Sequence, residues 1–521
     1  MKLLTNLCCL ALLLSTGITQ AQPPASIKVE ALPTESGVIS GTTSSDKSVM
    51  IFKGIPYAAP PLGSLRWKEP QPFPHWVGIK KCDHFGPSAM QGKPNAFSVY
   101  TWEFLIPASD PISEDCLFLN VWTAARSTDE KRPVIVFIHG GAFIAGSGAC
   151  NIYDGESMAK KGVIFVTINY RLGVFGFFAH PELTSESTHH ASGNYGIMDQ
   201  IAALQWVKNN IAAFGGDPDN VTIAGQSAGA MSVNTLDASP LAKGLFAKMI
   251  AESGGLVKKG FFGGYMPLDT AEARGLQLQK SAGASNLKSL REMPAEHLMA
   301  AFKGIGIVIV DGYVLPESVP AIFAAHRQTP VPLLTGYNKD DIIVKDRGSL
   351  SSFQETLAQF GPDSLKVLAM YPAVNDEQAR FASKDLARDM GFGLQNYGWS
   401  LLHSSVQPNT FMYLFARHCP MDPVGKQYSA YHTAEVPYAY DNLRFIRRPL
   451  MQGRVDRSLA KLMSSYWVNF ARTGDPNGSD LPVWPRFTED KAEVMVLDGK
   501  SAAQRLPSAD GLQYFYNRPA N

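Results

Sequence analysis

The sequence predicts an α/β protein in which helices flank a mainly parallel central sheet. Strand-like apolar runs alternate along the chain with segments of helical periodicity, which is typical of this architecture. The clearest helical segments are 199–214, with an apolar residue every three or four positions, and 459–473. A strand–turn–helix sequence around Ser227 stands where open parallel sheets place their ligands. The strand-like runs cover residues 133–138, 163–168, 221–224, 248–251, 331–335, 411–416 and 494–497.

The first residues of the chain have the pattern of a secretory signal. Lys2 supplies the positive start, residues 7–14 supply a short apolar core, and residues 19–21 form a small-x-small cleavage site. The apolar core is too short to span a bilayer. We therefore expect residues 1–21 to be removed. The mature part, 22–521, is expected to be one large exported domain, periplasmic or secreted, without a membrane-spanning segment.

Composition narrows the range of partners. The 47 Lys and Arg residues against 46 Asp and Glu leave a net charge of +1, without the basic patch that nucleic-acid binding requires. Apolar residues make up 45% of the chain, which is ample for a large core. Beyond the signal, four cysteines allow three disulfide pairings, and spacing does not choose among them. These cysteines are Cys82, Cys116, Cys150 and Cys419.

The N-terminal elements of the mature chain include a hairpin and a long loop. Residues 38–41 and 49–52 are predicted to be the two strands of the hairpin. Residues 91–112 form a loop region that is consistent with a lid or gorge wall, and equally with a loop anchored to the core. Its aromatic residues are Phe97, Tyr100, Trp102 and Phe104.

The strand 133–138 runs into the loop 139–143 (H-G-G-A-F). An H-G-G-x loop after a strand resembles the oxyanion-binding loop of lipases and esterases. The backbone N–H groups of Gly141 and Ala142, together with that of Ala228, are predicted to point at a developing oxyanion.

The strand 221–224 leads into a G-x-S-x-G turn centred on Ser227. Gly225 and Gly229 remove Cβ atoms where the strand and the following helix must pass closely. This leaves Ser227 on a strained turn with its hydroxyl exposed. The N-terminus of the following helix adds N–H groups and a positive partial charge. The pattern predicts Ser227 as a catalytic nucleophile.

Longer motifs extend this pattern over the mature chain. They are residues 113–122 (S-E-D-C-L-F-L-N-V-W), 169–173 (N-Y-R-L-G), 193–196 (G-N-Y-G) and 466–476 (Y-W-V-N-F-A-R-T-G-D-P). With the two glycine-rich loops, they resemble the type-B carboxylesterases, the carboxylesterase/cholinesterase-like branch of the α/β hydrolases. The resemblance implies the α/β-hydrolase fold and hydrolysis of small carboxylic esters through an acyl-enzyme. No cofactor is implied, and the chain lacks the metal motif H-E-x-x-H.

The resemblance implies a triad in the order serine, acid, histidine, which is typical of α/β hydrolases. Residues 431–438 (Y-H-T-A-E-V-P-Y) match the histidine motif of the family, including the glutamate three residues after the histidine. His432 is therefore predicted to be the general base for Ser227. The other late histidines, His403 and His418, lie in a helix-like stretch and just past a strand.

Residues 337–341 (Y-N-K-D-D) align with the N-K-D-E-G motif of the family. The alignment places the triad acid at Asp341, with Asp in place of the more usual Glu. Its role is to hold His432 in the right tautomer. Asp340 stays open as an alternative, because Ile342 replaces the glycine of the family motif and alters the turn.

The resemblance also places Gln226, Ser253 and Glu435 beside the triad. Gln226 stands where the family often has Glu, so one buried negative charge is missing. Glu435 then faces less like-charge repulsion and needs a hydrogen-bonding partner. Ala142 replaces a third glycine of the family loop, and its methyl group takes up space in the pocket.

The family ties the cysteine of the E-D-C-L motif to a cysteine upstream. This habit predicts a disulfide between Cys82 and Cys116. The usual partner position of the family aligns with Ala89, seven residues after Cys82. Cys150 and Cys419 are left unassigned.

Other functions stay open on the same fold. A feruloyl or other aromatic esterase, or a lipase, would use the same catalytic groups on different esters. A non-catalytic binding protein is the remaining alternative, although such relatives usually lack the serine or the histidine, and both are present here. The oligomeric state is also left open.

Overall fold

The structure is a computed structural model that describes residues 26–95, 102–107, 109–258, 264–341, 348–418, 430–446 and 452–518. The predicted signal segment 1–21 lies outside these ranges, so it stays a prediction, together with export and the single domain over 22–521. Cys419 and Ile342 also lie outside them. Among the described residues, no helix combines the length and the apolar character that crossing a membrane requires.

The fold centres on a sheet of eleven strands. In chain order they are β1 (Thr42–Thr43), β2 (Met50–Pro56), β3 (Phe118–Thr123), β4 (Arg132–Ile138), β5 (Ile164–Ile168), β6 (Gly216–Gln226), β7 (Lys248–Glu252), β8 (Leu333–Asn338), β9 (Thr410–Phe415), β10 (Glu493–Leu497) and β11 (Ala502–Arg505). Across the sheet they lie in the order β11-β10-β9-β8-β7-β6-β4-β5-β3-β2-β1. The strands from β10 to β5 in that order are parallel, whereas those at the two edges are antiparallel. The predicted fold class is confirmed.

Helices cover both faces of the sheet. In chain order the described helices are α1 (Glu156–Lys160), α2 (Gly173–Gly176), α3 (Pro181–Glu186), α4 (Tyr195–Asn210), α5 (Ala228–Ala238), α6 (Leu268–Ser281), α7 (Leu287–Glu292), α8 (Ala295–Ala301), α9 (Val319–Ala324), α10 (Leu350–Ala358), α11 (Ser364–Met370), α12 (Asp376–Arg388), α13 (Leu394–Ser404), α14 (Val436–Ala439), α15 (Arg454–Thr473) and α16 (Ala509–Asn517). Successive strand residues point to opposite faces. On β4, Val134 and Val136 therefore pack into one core, and Ile135 and Phe137 pack into the other, which includes the buried face of α15.

The predicted hairpin of residues 38–41 with 49–52 is wrong in its pairing. Gly37–Ser40 belongs to a small separate sheet, whereas β2 pairs with β1 and β3. The chain passes from one sheet to the other at Gly41, where a Cβ atom would lie 2.5 Å from the backbone oxygen of Ile51. The small sheets contain Leu32–Thr34, Gly37–Ser40 and Ile79–Lys81; Tyr265–Pro267 and Val308–Val310; Ser88–Ala89 and Ile112–Ser113.

The predicted disulfide between Cys82 and Cys116 is wrong, since both residues are buried free cysteines. The carbonyl oxygen of Cys82 accepts a hydrogen bond from the N–H of Lys53 at 2.8 Å. Leu117, the residue after Cys116, pairs with the same strand four residues later, where Tyr57 N–H donates to Leu117 O at 3.1 Å. Four residues along a strand span about 13 Å, whereas the Cα atoms of a disulfide lie at most about 7 Å apart. Cys82 and Cys116 are therefore held too far apart along this strand to form a disulfide.

Ala89 occupies the position at which the family usually has the partner cysteine. Ala89 and Cys116 line the same small cavity, so Cys116 has no thiol there with which to pair. Burial raises the pKa of the Cys82 thiol to about 12, which keeps that thiol protonated and unreactive.

Candidate active site

The nucleophile turn joins the end of β6 to the start of α5. Ser227 has φ 58° and ψ −122°, a conformation that a residue with a Cβ atom adopts only under strain. A Cβ atom on Gly225 would lie 2.4 Å from the carbonyl oxygen of Gly229, and one on Gly229 would lie 2.0 Å from that of Ile138. Glycine at both positions lets β6, α5 and the end of β4 converge. Ser227 is left partly exposed among buried neighbours.

The loop after β4 packs directly against this turn. A Cβ atom on Gly140 would lie 3.1 Å from the Cβ atom of Ser227. The imidazole of His139 stacks on the ring of Tyr170 at 4.5 Å, and the Tyr170 hydroxyl donates to the His139 carbonyl oxygen at 2.8 Å. Burial lowers the pKa of His139 to about 4. The neutral ring donates from Nδ1 to the Gly140 carbonyl oxygen at 2.8 Å, which fixes the loop beside Ser227.

Three backbone N–H groups at this junction are free to bind an anion. Gly141 and Ala142 have φ values of 109° and 54°, and both residues are exposed. Ala228 is the first residue of α5, where a helix leaves its N–H groups without a partner in the helix. Within the described part of the chain, none of the three N–H groups has a hydrogen-bond acceptor. The geometry suits the predicted oxyanion site.

His432 and Asp341 are brought together in the interior. The Nδ1 atom of His432 lies 2.6 Å from Oδ1 of Asp341, and the two side chains are 4% and 0% exposed. The other carboxylate oxygen of Asp341 accepts a hydrogen bond from the N–H of Asn338 at 2.9 Å. Asn338 ends β8, so the sheet itself holds the acid in place.

The carboxylate of Asp340 points to different partners. Its Oδ2 accepts a hydrogen bond from Ala430 N–H at 3.0 Å, and its Oδ1 pairs with the ammonium of Lys384. Asp340 N–H also donates to the Ala430 carbonyl oxygen at 3.0 Å. Asp340 therefore joins the acid loop to the segment that carries His432, whereas Asp341 contacts the imidazole.

The second ring nitrogen of His432 faces the nucleophile turn. Its Nε2 lies 3.2 Å from the side-chain amide nitrogen of Gln226, the residue before Ser227. No hydrogen bond joins the Ser227 hydroxyl to the imidazole in this structure. The predicted general base thus reaches the turn through Gln226, which is buried.

Ser253 and Glu435 both lie close to the predicted triad. Ser253 is buried, and its hydroxyl has no partner among the described residues. It precedes Gly254, where a Cβ atom would lie 2.5 Å from the Ser227 carbonyl oxygen. The buried carboxyl of Glu435 accepts a hydrogen bond from the side chain of Asn338, whose backbone N–H binds Asp341. Burial raises the pKa of the Glu435 carboxyl well above its usual range.

A second buried acid, Glu252, was not predicted from the sequence. It ends β7 directly opposite Gln226, and it accepts hydrogen bonds from Trp467 Nε1 at 2.8 Å and the Tyr440 hydroxyl at 3.3 Å. Burial raises the pKa of its carboxyl to about 8, so Glu252 is mainly protonated at pH 7. In the sequence, the position of Glu252 at the end of an apolar strand was the one feature that could have indicated a buried acid.

The raised pKa of Glu252 predicts a stability that falls as pH rises. The folded chain binds a proton that the unfolded chain has already lost above its ordinary pKa of about 4.5. The penalty grows from pH 4.5 to about 8, and its full size is on the order of 5 kcal/mol. Glu252→Gln retains an oxygen acceptor and removes the titration. We expect thermal unfolding to show a gain in Tm that is larger at pH 8 than at pH 5.

Glu272→Gln is the matched control, because this glutamate lies in α6 and its side chain is partly exposed. Its Tm difference from the wild type should be the same at both pH values. An equal effect of Glu252→Gln at pH 5 and pH 8 would contradict the protonated state assigned to Glu252.

Part of the predicted loop region 91–112 reaches the histidine segment. Residues 96–101 and 108 lie outside the described ranges. The ring of Phe104 packs on that of Tyr431, the residue before His432, with centroids 6.3 Å apart. The alternative of a loop anchored to the core agrees with this contact, and a lid function stays a prediction.

Known proteins match this chain over almost its whole length. The family model described as "Carboxylesterase family" matches residues 28–515. Fumonisin B1 esterase of Sphingopyxis macrogoltabida is 35% identical over 500 residues, which cover 92% of this chain and 87% of that protein. Para-nitrobenzyl esterase of Bacillus subtilis (strain 168) is 33% identical over 512 residues, which cover 94% and 98%.

Solved structures agree with these sequence matches. One structure of PNB esterase has a TM-score of 0.80 and 30% sequence identity, and the match covers 94% of this chain and 100% of that chain. A thermophilic PNB esterase has a TM-score of 0.79 and 32% identity over the same shares. The chain therefore belongs to the type-B carboxylesterase family, has its α/β-hydrolase fold and is a carboxylic ester hydrolase.

Proposed function

We propose that Ser227, His432 and Asp341 hydrolyse the ester as nucleophile, general base and triad acid. The observation that supports this most is the buried 2.6 Å contact between His432 Nδ1 and Asp341 Oδ1. It places the proton of the neutral ring on Nδ1 and the lone pair on Nε2. That lone pair faces Gln226, next to Ser227. The proposed mechanism requires the hydroxyl of the partly exposed Ser227 to reach the same nitrogen by rotation of its side chain.

The proposed reaction has two acyl-transfer steps. Ser227 Oγ attacks the ester carbonyl carbon while Nε2 of His432 takes the hydroxyl proton. The N–H groups of Gly141, Ala142 and Ala228 bind the oxyanion that forms. The imidazolium then protonates the departing alcohol. A water molecule, activated by the same base, hydrolyses the acyl-enzyme and releases the carboxylic acid.

The substrates that we propose are small esters with an apolar acyl or alcohol group. A groove of about 620 Å³ lies behind the oxyanion loop, lined by apolar side chains together with Arg274, Gln277, Ser281 and Lys303. Phe177 lines the groove, and its ring packs on that of Phe143 with centroids 4.7 Å apart. Ile307, which also lines it, follows Gly306, whose N–H donates to the carbonyl oxygen of Ala142 at 3.2 Å. The groove and the loop therefore share their supporting residues.

A panel of p-nitrophenyl esters tests this substrate class. From acetate to octanoate, each added methylene is expected to raise kcat/KM by up to about fourfold until the groove is filled, because burying one methylene is worth about 0.8 kcal/mol. Ser227→Ala should lose activity on every ester of the panel. Activity confined to ferulate esters, or to emulsified lipid, would contradict the proposed substrate class and favour a feruloyl esterase or a lipase.

A further inference from the structure

Helix α12 and the π-helical turn after it contact both halves of the Asp341–His432 pair. The helix continues beyond Arg388 into a π-helical turn, Asp389–Gly393, before α13 begins. Lys384 and Arg388 lie four residues apart in α12, so they project from neighbouring turns of the same side. Phe392 follows four residues later, in the π-helical turn. We call these three residues the brace.

The first two residues of the brace hold the loop that presents the acid. The ammonium of Lys384 pairs with the carboxylate of Asp340. One turn later, Arg388 Nη1 donates to the carbonyl oxygen of Lys339 at 3.0 Å. The backbone and a side chain just before Asp341 are therefore fixed by two cations from successive turns of one helix.

Both of these cations are shielded from solvent. The side chains of Lys384 and Asp340 are 14% and 4% exposed. The guanidinium of Arg388 is buried and also binds Asp389, with Nε 2.8 Å from Oδ1. An ion pair with little access to water is screened much less than one on the surface. The contacts therefore restrain the acid loop at ordinary ionic strength.

The third residue of the brace lies on the imidazole itself. The ring of Phe392 stacks on that of His432, with centroids 4.4 Å apart and an angle of 12° between the planes. Phe392 is 1% exposed. It lies in the π-helical turn next to Gly391, whose φ of −100° and ψ of −115° interrupt the helix. Turns of this kind occur frequently at functional sites.

Building on the proposed triad, we propose that the brace positions the acid–histidine pair, with Phe392 favouring the protonated ring. A parallel aromatic ring blocks rotation of the imidazole and holds its two nitrogens toward Asp341 and Gln226. The face of an aromatic ring also attracts a cation. The imidazolium that forms when the ring takes the serine proton is therefore stabilised relative to the neutral imidazole. Phe392 acts through His432 and is a positioning residue.

The titratable and charged groups packed around the Asp341–His432 pair come from several elements. The carboxylate of Asp341 contacts Nδ1 of His432, and Glu435 lies three residues after His432, at the start of α14. Glu252 ends β7 opposite Gln226. The Lys384–Asp340 and Arg388–Asp389 pairs lie along α12. Replacing Phe392 by an apolar residue retains all of these charges, so a change in pH dependence reports the ring contact.

Phe392→Leu tests the ring contact, because leucine retains an apolar side chain and removes the aromatic face. With p-nitrophenyl butyrate, we expect kcat/KM to fall about 3- to 30-fold at its plateau, the range for a partly desolvated cation–π contact. The acid limb of the kcat/KM profile should move to lower pH by about half a unit or more. Phe353→Leu is the matched control, since Phe353 is also buried in the same apolar cluster. It should leave the acid limb in place.

Lys384→Met tests the other end of the brace and does not depend on the folding of Phe392→Leu. It removes the ion pair with Asp340 and should lower kcat severalfold with little change in KM. Folding of each variant is checked by Tm. If both variants fold and retain the wild-type rate and pH profile, the brace is refuted, as it is if Phe353→Leu moves the acid limb equally. Loss of activity in Ser227→Ala alongside these results shows that the triad stands independently of the brace.

Discussion

Ser227→Ala is expected to lower kcat for ester hydrolysis by a factor on the order of 10⁶, because the three groups of a triad act as a unit. The oxyanion donors and the histidine remain, but no nucleophile attacks the carbonyl carbon. The backbone at this position, with φ 58°, carries the same strain for alanine as for serine. Tm should therefore change little. The measurement is turnover of p-nitrophenyl butyrate by the purified variant, with Tm recorded in parallel.

Ser232→Ala is a matched control in the same helix. Ser232 is buried in α5, where its hydroxyl donates to the carbonyl oxygen of Ala228 at 3.0 Å and accepts from Gln200 at 2.9 Å. Its loss should lower Tm slightly and leave kcat within a few-fold of the wild type. Ester turnover near the wild-type rate in Ser227→Ala would overturn the proposed mechanism.

Asp341→Asn is expected to lower kcat by up to about 10⁴, as for the triad acid of a serine protease. The structure shows why an amide fails here. The N–H of Asn338 donates to one carboxylate oxygen of Asp341, so the amide must turn its oxygen to that N–H. Its NH₂ group then faces Nδ1 of His432. The ring has to carry its proton on Nε2, where it cannot accept the proton of Ser227.

Asp340→Asn is the control for the neighbouring carboxylate. Its amide oxygen still accepts from Ala430 N–H, while the charge opposite Lys384 is lost. We expect kcat to fall by no more than about tenfold, since the acid loop loses one restraint and the imidazole retains its partner. If the two variants exchange their effects, the acid has been placed one residue too late.

The features predicted well from the sequence are those that depend on nearby residues. The positions Gly225 and Gly229 follow from the steric needs of a tight strand-to-helix turn, and the structure shows both contacts that a Cβ atom would violate. The central strands carry buried apolar residues on both of their faces, because both faces of the sheet are covered. The position of the predicted nucleophile at a strand end follows from the same local pattern.

Features that depend on contacts between distant segments were missed or wrong. The predicted hairpin partner of Gly37–Ser40 pairs with other strands, because the neighbours of a strand depend on the packing of the whole sheet. Cys82 was predicted as the disulfide partner of Cys116 from the habit of the family, whereas its place beside Lys53 separates it from Cys116. Phe392 stacks on a histidine forty residues away along the chain. Nothing local in the sequence around Phe392 indicates that contact.

The histidine site combines both kinds of information. The motif around His432 marks one residue, but its partners come from β8, from the turn after it and from β6. Choosing between Asp340 and Asp341 required their hydrogen bonds, since adjacent residues in a turn point in different directions. The role of Glu252 as a buried acid could not be predicted locally, because its hydrogen-bond partners Trp467 and Tyr440 lie far along the chain.

Covalent labelling with a fluorophosphonate tests the central claim most directly. The probe reacts with a serine only where a base activates it and an oxyanion site receives the phosphoryl oxygen. Peptide mass mapping of the purified protein should find one equivalent of probe on Ser227, in step with the loss of ester hydrolysis, and Ser227→Ala should take up none. Stoichiometric labelling of another serine, or full hydrolytic activity with Ser227 unmodified, would contradict the assignment of Ser227 as the nucleophile.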